Sequence, residues 1–166
     1  MDIVQFAQHQ EKQLGDYYLQ LGELAPHISI KEILVSLSHS ESQHYTSLNK
    51  IKEGWIGRIS NRFDLSHSAS LLKKTEDQID QWGMDFTELD QYQRIRDAEL
   101  QLERFYLDRA CETQNPLEHQ FYQEMAQEEH RHYMIMDDLC SLMARRITHI
   151  VQPHMEQRAQ YVSMWY

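Results

Sequence analysis

Two short stretches of this chain, Glu41-Ser-Gln-His44 and Glu129-His-Arg-His132, put a carboxylate and an imidazole into rows that otherwise hold core side chains. Steps of three and four along the first row give Leu34, Leu37, Glu41, His44, Leu48, Ile51 and Trp55. Along the second they give Tyr122, Met125, Glu129, His132, Met136, Leu139 and Met143. That is the period of a helix burying one face. A carboxylate buried in its ionised form without a partner is strongly destabilising. Whatever the chain folds into must therefore bring something positive to these rows.

The two stretches lie 88 residues apart, and the same offset aligns much more of the chain. Glu11 falls on Glu99, Tyr18 on Tyr106, Tyr45 on Tyr133, and Gln5, Gln13, Leu14 and Leu19 fall on their own kind. Nine of the 49 positions 5–53 match their partners, where ordinary residue frequencies give about three. Glu11 and Glu99 also sit in helical seams, Ala7-Glu11-Leu14-Tyr18-Leu21-Ala25 and Ile95-Glu99-Leu102-Tyr106. No lysine or arginine occupies these seams, so four inward carboxylates lack a side-chain cation. Two divalent ions would balance them. Residues three apart share a helix face, so Glu41 with His44, and Glu129 with His132, can each grip one ion. One Glu from each of two helices plus Glu-x-x-His from each of two others is the ligand set of di-iron and di-manganese bundles. Mixed oxygen and nitrogen donors favour Fe, Mn or Zn over Mg or Ca.

Only five Gly and three Pro interrupt the chain, which favours long helices. One is expected over 3–25, stopped by Pro26, and a second over 30–56, opened by a Ser29-Ile-Lys-Glu32 capping box and ended by Gly54 and Gly57. Residues 57–87 form a long crossover containing a short helix near 69–82. Thr87-Glu-Leu-Asp90 opens a third long helix, 88–113, and Asn115-Pro116 opens a fourth, 116–150, limited by Pro153. The short first and third connections make each helix pair an antiparallel hairpin. The expected fold is all-α, an antiparallel four-helix bundle over 1–150 with one long crossover, followed by a tail, 151–166.

A formal charge of −10 and the lack of a basic patch argue against nucleic acid as a partner. No run of eighteen apolar residues suggests a membrane span, and the N-terminus does not read as a secretory signal. Cys111 and Cys140 stand alone, without CxxC spacing, which points to a reducing, cytoplasmic setting.

The motifs Glu11-KQLGD-Tyr17-Tyr18 and Glu99-LQLER-Phe105-Tyr106, with Glu41-SQ-His44 and Glu129-HR-His132, resemble those of the ferritin-like di-iron carboxylate superfamily. Within it they are most similar to the rubrerythrin-like branch, over residues 3–148. The resemblance implies two Fe ions, with Glu11 and Glu99 as terminal or semi-bridging ligands, Glu41 and Glu129 as bridges, and His44 and His132 capping one ion each. Tyr18 and Tyr106 would steady carboxylates of the opposite hairpin. It further implies a peroxidase or ferroxidase using peroxide or O2, and a homodimer. With no rubredoxin-type CxxC pairs here, the electron donor would be external. Rubrerythrins carry a further Glu where this chain has Leu102, and Glu103 is rotated about 100° away, so the set is closer to the six ligands of bacterioferritins. Metal holding or iron storage without catalysis, a structural four-helix module whose acidic seam contacts another protein, and hydroxylation of an organic substrate are the alternatives. Tyr17, Phe105, Trp55, Met125, Met134, Met136 and Met143 read as core, and Glu103, Glu128 and His130 as solvated. The other histidines read as surface residues.

Overall fold

The computed structural model describes residues 2–25, 27–54, 64–76 and 87–163, with side chains described for 89–145 of the last stretch. It is all-helical, with no strand among the described residues. The helices are α1 (Ile3–Leu24), α2 (Ile28–Lys52), α3 (Ser66–Glu76), α4 (Thr87–Glu112) and α5 (Pro116–Ser163). None of them is long and apolar enough to cross a membrane, among the described residues.

Local chemistry sets the helix ends. Asp2 caps α1 in a reciprocal box with Gln5, whose side chain accepts from the Asp2 amide at 3.2 Å. α2 starts before the Ser29 box the sequence suggests. Pro26 sits immediately ahead, and His27 becomes the cap, its Nδ1 accepting from the Ser29 amide at 3.2 Å. Gly54 closes α2 at a φ of 82°, its amide bonded to the Ile51 carbonyl at 2.8 Å. Asn115 caps α5 as expected, accepting from the Leu117 amide at 3.0 Å. The short helix of the connection runs Ser66–Glu76 rather than 69–82, and residues 55–63 and 77–86, with Trp55 and Gly83, lie outside the described set.

One expectation about the fold is overturned. The last helix does not stop near 150: α5 runs through Pro153 to Ser163, so residues 151–163 continue it rather than forming a separate tail. Proline fixes φ near the helical value, and its cost of about 3 kcal/mol is a missing backbone bond and a local clash. The helix formers Met155, Glu156, Gln157, Arg158 and Ala159 carry the backbone onward.

α1 packs on α2 and α4 on α5, each pair antiparallel. Gln8 bonds Asn49 at 2.6 Å, Gly15 abuts Glu41 and Gly22 abuts Leu34, so the chain rises on one helix as it falls on the other. In the second pair Arg96 meets Asp137 at 3.2 Å, Glu103 meets His130 at 3.2 Å, and His119 meets the Ala110 carbonyl at 2.7 Å. The 88-residue offset carries Gln8–Asn49 onto Arg96–Asp137 at both ends. The two hairpins thus share one register. α3 lies against both α2 and α5.

The seams are buried as their spacing requires, from Ala7 through Tyr18 and Leu21 on α1 to Tyr122 through Met143 on α5. Two residues read as core are not: Tyr17 is 51% and Met134 47% exposed. Tyr17 lies one residue beside the seam at Tyr18, and Met134 lies midway between His132 and Met136; helical steps of 100° turn both toward solvent.

Candidate metal centre

Six polar side chains from four helices meet in the interior. α1 supplies Glu11, α2 supplies Glu41 and His44, α4 supplies Glu99, and α5 supplies Glu129 and His132; all are at most 2% exposed. His44 Nδ1 lies 2.9 Å from Glu129, 3.2 Å from Glu11 and 3.6 Å from Glu41. His132 Nδ1 lies 2.7 Å from Glu41, 3.7 Å from Glu99 and 3.7 Å from Glu129. Each imidazole therefore turns the same nitrogen toward three carboxylates, two of which are common to both. The rings stack with centroids 5.2 Å apart. One donor atom from each of Glu41, His44, Glu129 and His132 falls within 4.8 Å of the others.

The 88-residue offset exchanges the halves of this cluster. Tyr18 donates its phenol proton to Glu99, and Tyr106 donates to Glu11, each bond crossing from one hairpin to the other. Burial, and then the Glu99 and Glu11 charges respectively, push both phenols well above their usual range. They remain protonated donors.

Like charge shapes the carboxylates. Burial, and next the nearby Glu41, push Glu11 up to about 8. Burial, followed by Glu11 and Glu41, raises Glu129 well above the ordinary carboxylate range. Burial also works against ionisation of Glu41, but the His132 imidazolium outweighs it and holds Glu41 low. Both imidazoles are raised well above their usual value: burial opposes this, and is overcome by Glu129 and Glu11 at His44 and by Glu41 and Glu99 at His132. Left to itself, the cluster gathers protons to offset its own charge.

Those protons do not satisfy it. Both oxygens of Glu41, both of Glu129, Glu99 Oε2 and His132 Nδ1 are buried without a hydrogen-bond partner among the described residues. The 2.7 Å approach of His132 to Glu41 is close, but it lacks the alignment of a hydrogen bond. Buried polar atoms seldom stay unpaired. Oxygen and nitrogen donors left facing one another in this way suit a transition-metal cation.

The neighbours refine the picture. Leu102 is buried in the core, and Glu103, half-buried, pairs with exposed His130. No seventh carboxylate joins the cluster among the described residues. Glu128, read from the sequence as solvated, is 1% exposed and accepts from Arg131 at 2.5 Å. Ser40 was not singled out by its sequence, yet its Oγ lies 2.9 Å from His132 Nε2. Gly15 also escaped notice: a Cβ there would stand 3.3 Å from the Glu41 Cβ, so its lack of a side chain lets α1 approach the site. The available signal was position, since Ser40 and Gly15 are the offset counterparts of Glu128 and Glu103. Comparison of the chain with protein-family models, with curated proteins and with solved structures finds no match in any of the three.

Proposed function

We propose that the buried cluster holds two iron ions and that the protein is a non-haem di-iron oxidoreductase reacting with peroxide or O2. The observation that carries this reading is the pair of imidazole Nδ1 atoms, each within 4 Å of oxygens from three buried glutamates. Four carboxylates in a space closed to water need about four positive charges, and two divalent ions supply them. In this reading the chain is a ferritin-like antiparallel four-helix bundle, with residues 57–87 as its crossover. Glu11, Glu41, His44, Glu99, Glu129 and His132 would hold the ions. Mn or Zn would fit the same donors.

When bound, two ferrous ions supply the two electrons that, with two protons, convert one H2O2 to two waters. The protein's share is position and enclosure. Tyr18 and Tyr106 hold Glu99 and Glu11 by their Oε1 atoms, leaving Oε2 of each carboxylate toward the imidazoles. The apolar seams above and below exclude bulk water. An external donor returns the electrons, and the chain works in the cytoplasm as a homodimer, in keeping with its lone cysteines and its resemblance to ferritin-like proteins.

Metal analysis of the purified chain, followed by rapid mixing of the anaerobic ferrous protein with H2O2 and with O2, tests this. Two transition ions per chain and faster oxidation by H2O2 are expected; faster oxidation by O2 would point to a ferroxidase, and absence of metal would end the reading. The burial of all six residues also favours a second reading, in which the ions are held without turnover. Steady consumption of peroxide with a reductant would exclude it.

A further inference from the structure

The 88-residue repeat breaks at Ser40, which touches the cluster. At the ring nitrogen of His132 remote from the carboxylates, Nε2 lies 2.9 Å from the hydroxyl of Ser40, a buried residue of α2. The offset carries His132 onto His44 and Ser40 onto Glu128. It preserves the residue types of the two tyrosine–glutamate bonds, and of the His44–Glu129 and His132–Glu41 contacts. Here it does not. One half has a hydroxyl, and the other has a carboxyl that is itself buried and bound by Arg131.

We propose that Ser40 positions His132 as a metal ligand. This rests on the two-ion reading above. An imidazole that offers its Nδ1 lone pair to a cation carries its proton on Nε2. A group accepting that proton fixes both the tautomer and the ring orientation. Ser40 Oγ is that acceptor. Without that acceptor the ring and its tautomer are no longer fixed, and the ion that His132 serves is held less tightly.

Calorimetric titration of the metal-free chain with Zn2+ tests the proposal, since Zn2+ brings no redox chemistry of its own. The wild-type chain takes up two ions. Ser40→Ala weakens the uptake of one of them by about 10–100-fold and leaves the other where it was. Ser40→Thr, which keeps the hydroxyl, restores it. The alanine change removes one oxygen and improves helix propensity, and circular dichroism without metal verifies that the variant folds. Unchanged uptake of both ions in Ser40→Ala, or equal weakening of both, overturns the proposal and leaves the two-ion reading standing. A wild-type chain that takes up no Zn2+ removes both.

Discussion

Tyr18 and Tyr106 are the residues through which the two hairpins hold each other's carboxylates. A phenylalanine at either position would fill the same space but leave a buried carboxylate oxygen without its donor. Hydrogen bonds to charged groups are worth about 1.5–3 kcal/mol. Tyr18→Phe and Tyr106→Phe should each lower the stability of the metal-loaded protein by about that much, and by similar amounts. Urea unfolding at constant slope is the measurement; a large effect at one position and none at the other would contradict the equivalence of the halves. The six cluster residues and the two tyrosines were legible because each lies in a seam and repeats at the same offset. Ser40, Glu128 and Gly15 were not. Their roles come from the helix opposite, and no pattern along their own helix distinguishes a buried serine from an exposed one.

Among the helices, the long ones followed from apolar period and caps, and Asn115-Pro116 marked the start of α5 to the residue. The failures were at punctuation. Pro153 reads as a stop although the turns beyond it favour helix, and Ser29 loses the cap to His27, whose side chain accepts from the Ser29 amide. Helix spacing was not legible at all, since it depends on which side chains are missing. α1 carries two glycines against α2 that make opposite predictions. A Cβ at Gly22 would meet Leu34 at 3.7 Å, an ordinary contact, so Gly22→Ala should stabilise by roughly 0.5–1 kcal/mol through helix propensity. At Gly15 the Cβ alone would come within 3.3 Å of Glu41. Gly15→Val adds two methyl groups to that contact and should cost about 1–3 kcal/mol, and it should weaken Zn2+ uptake by shifting Glu41. Thermal unfolding and metal titration of the two variants decide the matter: if Gly15→Val is as stable as Gly22→Ala and binds metal normally, the helices are not as close as described.

For the molecule as a whole, the cluster links folding to pH. Glu11, pushed up to about 8, keeps a proton in the folded metal-free chain that an unfolded carboxyl releases near 4.3. Between those values the unfolded state binds fewer protons, so the Glu11 contribution to stability declines as pH rises. Glu129 and the two imidazoles are also raised, and their contributions are likewise lost with rising pH. Glu41, held low, has the opposite sign, and its contribution fades only as pH falls below the ordinary carboxylate range. The metal-free chain should therefore be less stable at pH 8 than at pH 5. Metal reverses the trend by displacing the protons, with affinity rising about tenfold per pH unit for each proton released. Unfolding the metal-free and metal-loaded chains at both pH values measures this, and the gap between them should widen toward pH 8. If the metal-free chain instead gained stability from pH 5 to 8, Glu11 and Glu129 would already be ionised and hydrated, and the site would be open to water rather than closed around a missing charge.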